Sequence, residues 1–124
     1  MRLKDIRLIG TTSAGGAVNI DGEAHVLGIL EAVQWVDGSF DNGVDAVLSV
    51  IQPDGTTQTL LTLTDANDDA WLYPRVPVND PTGAALDDAD GANLTKPLLV
   101  GKPRLAITGG GNAKTGGCIL YYWS

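Results

Sequence analysis

Apolar and polar residues alternate along much of this chain with the period of two that is typical of half-buried β-strands. The alternation is clearest near the end, where Leu105 and Ile107 are separated by small or polar neighbours. A polar, glycine-rich run follows, and residues 118–123 are then apolar and largely aromatic, which suits a pleated surface. We predict that residues 104–123 form a terminal β-hairpin and that its second strand, with Ile119 to Tyr122, is central to the core.

The same alternation predicts strands elsewhere in the chain. The hairpin signal is strongest at residues 53–56, where proline presets φ, aspartate closes the turn and glycine takes the left-handed position. Pro74 predicts that the strand around it lies at an edge or carries a bulge. The predicted strands before the terminal hairpin are residues 2–9, 18–20, 25–36, 44–52, 57–64, 70–76 and 98–100, with a turn at 101–103.

Residues 25–36 form the most apolar long segment, and two structures compete for it. A strand buried on both sides would have Leu27, Ile29, Val33 and Trp35 on one face. A helix is the alternative, because leucine, alanine, glutamate and glutamine are good helix formers. Gly28 and the β-branched residues favour the strand.

The composition agrees with β structure. The chain has 124 residues and 16 glycines, with a hydrophobic fraction of 44%. This length is most simply one domain, and many glycines point to turn-rich β structure. We therefore expect residues 1–124 to form a single all-β domain, an antiparallel, jelly-roll-like β-sandwich of about eight or nine strands.

The net charge of −7 argues against two classes of partner. An acidic protein repels nucleic acid phosphates and anionic lipids, so we expect neither direct nucleic acid binding nor membrane association. Charged and polar residues also interrupt the apolar runs too early for a bilayer span. The single cysteine, Cys118, excludes an intrachain disulfide and is expected to be a buried thiol, and no signal peptide is expected.

The candidate chemical motifs are weak. Oxygen ligands alternate through residues 37–45 as in a calcium loop, but the glycine is one place late and no closing glutamate follows. Residues 109–115 lack the spacing of a phosphate loop. His25 is the only histidine, so a nucleophile pair would require it to meet Cys118. We expect no catalytic residues, no metal, no cofactor and no enzymatic activity.

Charge is segregated at two places that could contact other subunits. Residues 1–9 hold three of the basic residues and form either an N-terminal arm or an edge strand. Residues 77–97 form a long acidic loop of a kind that is usually functional or mobile. The hypothetical contact residues are Arg2, Lys4, Arg7, Asp80, Asp87, Asp88 and Asp90.

Several segments together resemble a group of small virion structural proteins of tailed double-stranded DNA bacteriophages. They are residues 35–40, 44–50, 64–67, 71–75 and 110–123. The resemblance covers most of the chain from about Val26 onward and excludes both charged segments. It implies a non-enzymatic virion protein, foremost a capsid decoration (cement) protein that binds and stabilises the outer head shell. The implied partners are the major capsid protein or neighbouring virion subunits, with a homo-oligomeric protein assembled in the host cytoplasm.

Two alternatives stay open at this point. A neck, connector or tail component is the second reading of the resemblance. The other is a β-sandwich module that binds carbohydrate or a host receptor through Trp71 and Tyr73. Exposure of these aromatic side chains in a groove would favour that module, whereas their burial would favour a scaffolding role. By composition alone, the three tryptophans are expected in the core.

Overall fold

The computed structural model describes residues 1–85, 87–88, 91–92 and 94–124, and all regular structure in this part of the chain is β. No helix long and apolar enough to cross a membrane occurs among these residues. The strands, in chain order, are β1 (Leu3–Thr11), β2 (Val18–Asp21), β3 (Val26–Val36), β4 (Asp45–Ile51), β5 (Thr57–Leu63), β6 (Ala70–Leu72), β7 (Val76–Pro77), β8 (Asp87–Asp88), β9 (Gly91–Ala92), β10 (Leu94–Thr95), β11 (Leu98–Thr108) and β12 (Thr115–Trp123).

Eight of these strands form one antiparallel sheet in the order β1-β12-β3-β11-β4-β5, with β2 beside β11 and β6 beside β3. The sheet folds into two layers around a common core. The first layer contains β1, β12, β3 and β6, and the second contains β2, β4 and β5. The predicted all-β, antiparallel fold class is confirmed.

Strand β11 belongs to both layers. Its residues 98–101 pair with β3, whereas residues 102–108 pair with β4. The strand changes partner at Gly101, whose φ of 129° is reserved for glycine and whose added Cβ would overlap the carbonyl oxygen of Ile51. The predicted turn at 101–103 is therefore wrong, because the glycine bends the strand without ending it.

The predicted terminal hairpin is also wrong. Strand β12 pairs with β1 and β3, and β11 pairs with β2, β3 and β4, so the two strands are not neighbours. The loop at 109–114 crosses from one layer to the other, and Leu105 and Leu120 both pack in the core between the layers. The central position predicted for Ile119 to Tyr122 is confirmed, since β12 has a paired strand on each side.

Residues 26–36 form a strand, as predicted, but their two faces differ from the prediction. The pairing with β12 shifts so that Tyr121 faces Ala32 and Tyr122 faces Leu30, which leaves Glu31 as the extra residue of a β-bulge. The bulge brings Leu30 onto the same inner face as Val33 and Trp35. The outer face is not fully covered, because Leu27 is 73% exposed.

The turn at residues 53–56 joins β4 and β5 in antiparallel register, as predicted. Gly55 has a φ of 88°, and the Asp54 carboxylate accepts the Thr56 backbone N–H at 3.0 Å. Pro74 lies between β6 and β7 and separates them.

The two charged segments, residues 1–9 and 77–97, both contain β-strands, so they are not simply a free arm and an irregular loop. Strand β1 is paired with β12 along its whole length and lies at the end of the strand order. Within residues 77–97, β7 pairs with β10 and β8 pairs with β9, so the expectation of a connection without regular structure is wrong. Short pairs of two residues each have too little hydrophobic periodicity to be recognised in the sequence.

The core lies between the layers and draws side chains from every long strand. Its largest fully buried members are Trp35, Leu8, Leu30, Leu48, Leu99, Leu105, Ile107 and Leu120. Cys118 lies among them, and burial raises the pKa of its thiol to about 12. The predicted buried thiol is confirmed, and it cannot meet His25, which is exposed in the connection before β3.

We predict that Leu120→Ala lowers the free energy of unfolding by about 2–5 kcal/mol, because it leaves a cavity beside the central strand. Leu27→Ala is the matched control, since it removes the same atoms from an exposed site and should change stability by less than about 0.5 kcal/mol. Urea denaturation of both variants measures the difference. Equal losses would contradict the assignment of Leu120 to the core.

Candidate functional site

The outer face of the first layer presents large aromatic side chains to solvent. Trp71 is 53% exposed and Tyr73 is 60% exposed. Polar and further aromatic side chains from β3 and β12 adjoin them. We define the aromatic surface as Glu31, Gln34, Trp71, Tyr73, Arg75, Tyr121 and Trp123.

Strand β6 directs Trp71 to this face. Trp71 lies opposite Gln34 of β3, and its neighbour Leu72 points the other way and packs against the core. The alternation of a strand therefore places an aromatic ring outside and an aliphatic side chain inside. Pro74 lacks a backbone N–H and follows the end of β6, so the chain leaves the sheet carrying Tyr73 and Arg75.

Trp71 and Tyr121 stack, with ring centroids 5.2 Å apart and planes inclined by 28°. The Tyr121 hydroxyl donates a hydrogen bond of 3.0 Å to the Gln34 side-chain oxygen. The stack covers one side of the indole, and the hydrogen bond orients the phenol beneath it. Trp71 is thus held in place although more than half of its surface is exposed.

Glu31 is the polar centre of the surface. Its carboxylate accepts hydrogen bonds from Lys96 Nζ at 2.9 Å, Trp123 Nε1 at 3.2 Å and Arg75 Nη2 at 3.3 Å. Because Glu31 is the extra residue of the bulge, β12 has no residue opposite it, and its side chain is free to reach all three donors. One carboxylate therefore connects β3, β12 and the segment after β6.

Arg75 is fixed on a second side as well. Its Nη1 donates to the Glu31 carbonyl at 3.1 Å and to the Pro74 carbonyl at 2.8 Å. The guanidinium carbon lies 6.0 Å from the centre of the Tyr73 ring, which is a cation–π distance. The guanidinium thus reaches Tyr73, Pro74 and Glu31 from one position.

This arrangement is suited to binding by contact. Rigid tryptophan, tyrosine and arginine side chains are the types that contribute most to protein interfaces, because they offer a large area at a small entropy cost. The same aromatic faces, with Gln34 and Glu31 beside them, could stack on other flat ligands. The Glu31 carboxylate, the Arg75 guanidinium and the Tyr121 hydroxyl are used for hydrogen bonds within the surface.

Among the described residues, the predicted basic contacts on β1 are not joined to the acidic contact Asp80. Arg2, Lys4 and Arg7 lie on or next to β1, and no ion pair joins them to Asp80 within the described residues. The Asp80 carboxylate bonds to Thr82 and to the Ala84 backbone N–H at 3.0 Å, so it closes its own turn. Of the remaining three, Asp87 and Asp88 form β8, and Asp90 lies outside the described residues.

Side-chain oxygen atoms of the loop at residues 37–45 accept hydrogen bonds within the protein. Asp45 accepts the Asp65 backbone N–H at 3.0 Å, and the Ser39 hydroxyl accepts the Thr115 backbone N–H at 2.8 Å. Across the described part of the chain, no group of three or more histidine, cysteine or carboxylate side chains could hold a metal ion. One oxygen of Asp37 is buried without a hydrogen-bond partner.

The expectation that all three tryptophans are core residues is wrong for Trp71. Trp35 is fully buried, donating its Nε1–H to the Ala66 carbonyl at 3.0 Å, and Trp123 is partly buried. Composition cannot separate these cases, but the Trp-x-Tyr-Pro-Arg spacing does signal an edge strand with outward aromatics. The roles of Glu31, Gln34 and Tyr121 depend on the bulge and on strand pairing, and no sequence signal identifies them.

Comparison with known proteins does not identify a family for this chain. No family model matches the chain, and no curated protein matches it. The solved structure described as "Structure of infectious bursal disease virus Gx strain" is 16% identical, with a TM-score of 0.36. That similarity covers 98% of this chain but 32% of the viral chain, so this chain spans about a third of its length. A similarity of this size does not establish a common function.

We predict that Glu31→Gln lowers the melting temperature at pH 7 and that the deficit narrows in acid. Hydrogen bonds from Lys96 and Trp123 hold the pKa of Glu31 below its ordinary value of 4.5. Ionised Glu31 therefore stabilises the fold above pH 4.5, and this contribution is lost as the pH falls through its lowered pKa. Melting curves from pH 7 to pH 3 measure the effect, with Glu23→Gln, at an exposed glutamate, as the control. A deficit that is constant with pH would contradict the network.

Asp37→Asn should have the opposite effect and raise stability at pH 7. Burial, followed by repulsion from Asp69 and Asp68, raises the pKa of Asp37 above 3.8, so the ionised form destabilises the folded state at neutral pH. The gain should vanish below pH 3.8, where the folded and unfolded states both carry the protonated acid. Urea denaturation at pH 7 and pH 3 tests this. Asp54→Asn serves as the comparison and should be destabilising, because hydrogen bonds from Thr56 lower the pKa of Asp54.

Proposed function

We propose that this protein is a non-enzymatic structural component of a virion, and specifically a capsid decoration protein that binds the outer head shell. The observation that supports a contact role is the aromatic surface, in which exposed Trp71 and Tyr73 are held beside Arg75 on a rigid sheet, a feature that also suits the binding module considered below. The resemblance of residues 35–40, 44–50, 64–67, 71–75 and 110–123 to small phage virion proteins supports the same role. The major capsid protein is the proposed partner.

The physical case rests on preorganisation. A binding surface loses affinity when its side chains must be ordered on contact, at about 0.5–1.5 kcal/mol for each flexible side chain. Here the Tyr121 stack fixes Trp71 and three acceptor oxygens fix Arg75 before any partner arrives. Such a surface can bind a repeated subunit tightly with a small area.

The charge distribution suits the outside of a shell. The net charge of −7 disfavours contact with packaged DNA. Ion pairs at exposed residues contribute only about 0.2–1 kcal/mol each. The predicted contacts at Arg2, Lys4, Arg7, Asp80, Asp87, Asp88 and Asp90 would therefore adjust orientation, while the aromatic surface supplies affinity.

A carbohydrate-binding or receptor-binding module is the second candidate, and the exposure of Trp71 and Tyr73 favours it. Exposed aromatic rings flanked by hydrogen-bonding groups such as Gln34 are suited to the apolar faces of sugar rings. A decoration protein and a carbohydrate-binding module would both use an open aromatic face with fixed polar groups beside it, so the geometry alone does not separate them. The experiment must therefore present both kinds of ligand.

We predict that Trp71→Ala weakens binding to undecorated capsids by at least about 30-fold, the loss expected for an interface hot spot. The control is Val47→Ala, which removes a partly exposed side chain from β4 in the second layer. Copies bound per capsid are counted after sedimentation, and a glycan array is probed with the same proteins.

Three outcomes distinguish the proposals. Capsid binding that Trp71→Ala removes supports decoration. Glycan binding that Trp71→Ala removes, without capsid binding, supports the carbohydrate module and overturns decoration. If the unaltered protein binds neither, purified necks and tails are tested next, and binding there assigns the protein to the connector or tail.

A further inference from the structure

Within the described residues, strand β1 pairs with β12 alone, so its other edge is free, and the hydrogen-bond pattern shows which groups this edge offers. The N–H of Arg2 donates to the Ser124 carbonyl at 2.8 Å and the N–H of Ser124 donates back at 3.0 Å, while the Thr12 N–H donates to the Lys114 carbonyl. Even-numbered residues therefore bond to β12. Because antiparallel pairs alternate and the register has no shift, Leu3, Asp5, Arg7 and Ile9 direct their N–H and C=O groups outward.

The side chains along this edge carry a self-complementary charge pattern. Asp5 and Arg7 are two residues apart, so both lie on the outer face of the sheet, and both are exposed. Neither forms an ion pair within the described residues. Ile6, between them, points to the inner face and packs against the core.

We propose that a second copy of this chain adds to the free edge of β1, with the two β1 strands antiparallel and Ile6 facing Ile6. In this register Asp5 of each copy lies directly opposite Arg7 of the other, and Leu3 lies opposite Ile9. All of these residues direct their backbone groups outward. The two-fold axis generates each pair twice, so four pairs exchange about eight backbone hydrogen bonds, two for each pair. The dimer has the two-fold symmetry that is commonest among homo-oligomers.

Neighbouring registers are excluded by like charges. Centring the pairing on Asp5 would set two carboxylates face to face, and centring it on Lys4 or Arg7 would do the same for two cations. Only the Ile6-centred register among these turns both charged residues into attractive pairs. The net charge of −7 repels a second copy at long range, and the basic residues Arg2, Lys4 and Arg7 reduce this repulsion at the β1 edge.

The surface beside β1 can take the side chains of the added strand. A cavity of about 430 Å³ runs along the edge, and its apolar lining includes Ile6, Ile20, Val26 and Pro103. Glu23 contributes a carboxylate to the same cavity. Ile6 and Lys4 of the second copy would project toward this side, where the partly buried Ile6 side chain meets the apolar lining and the ammonium meets Glu23.

The opposite edge of the sheet is less suited to this pairing. Strand β5 ends the strand order on that side, but its pairing with β4 shifts after Leu48, so that Leu60 forms a bulge. Bulges twist an edge strand and interrupt the ladder that another strand would need. Strand β1 has nine residues in continuous register and no such interruption. Self-association is therefore assigned to β1.

The test is a charge exchange across the two-fold axis, measured by sedimentation equilibrium. Asp5→Arg sets two arginines opposite each other at the Asp5–Arg7 pair, and Arg7→Asp sets two aspartates there, so each single variant should weaken dimerisation at least about tenfold. The double variant Asp5→Arg/Arg7→Asp restores two attractive pairs and should dimerise like the unaltered protein. Asp68→Arg, which changes the net charge as Asp5→Arg does at a distant exposed site, should have no effect.

Concentration-dependent amide exchange gives a second readout. In the dimer the amides of Leu3, Asp5, Arg7 and Ile9 become protected, whereas those of Lys4 and Leu8 are protected already. A monomer at all concentrations up to about a millimolar would overturn the proposal, as this is far above ordinary dissociation constants. Dimers unaffected by the single variants, or not restored by the double variant, would also overturn it. Since no capsid is used, failure here leaves the proposed decoration function to its own experiment.

Discussion

Strand β3 carries one more residue than the facing segment of β12, and the bulge at Glu31 determines both the core and the aromatic surface. On the inner side it aligns Leu30 with Val33 and Trp35, so that a single strand fills the middle of the core. On the outer side it leaves Glu31 without a cross-strand neighbour and directs its carboxylate to Arg75, Lys96 and Trp123. A change of one residue in this register would exchange the two faces, expose the core side chains and remove the acceptor that holds Arg75.

Strand β11 gives the surface a rigid support. Because it pairs with β3 before Gly101 and with β4 after it, the two layers share one continuous strand. The layers therefore cannot slide past one another without breaking the β11 ladder, and Leu99 and Leu105, on either side of the bend, anchor it in the core. Aromatic side chains on such a support keep their relative positions, which is the condition for binding with little loss of conformational entropy.

The sequence predicts those features that depend on local chemistry. Pro53, Asp54 and Gly55 identify a hairpin, and the apolar residues around Ile119 identify a central strand. The strand predicted to continue through Pro74 to residue 76 instead ends at Leu72. The sequence does not predict which strands pair. Alternation shows that Leu105 and Leu120 face a core, but it does not show that they reach it from opposite layers. No sequence signal identifies the bulge at Glu31. The prediction therefore places Leu27 and Ile29 on the same face as Val33 and Trp35, whereas the bulge places Leu30 with Val33 and Trp35. The aromatic surface combines β3, β6 and β12, and its membership follows from pairing alone.

The aromatic surface and the free edge of β1 belong to the same layer, and this relation gives them a joint consequence. A two-fold axis through antiparallel β1 strands is perpendicular to the sheet, so both copies turn their outer faces to the same side. The two aromatic surfaces would then face the same side of the dimer and could both contact one partner surface. When one surface is bound, the other is confined near its own target, and the effective concentration for the second contact can reach the millimolar range. A capsid shell presents such targets at symmetric, repeated positions, whereas a single soluble ligand does not. Dimerisation through β1 would therefore strengthen binding to a shell far more than binding to an isolated subunit, without any new contact at Trp71 or Tyr73.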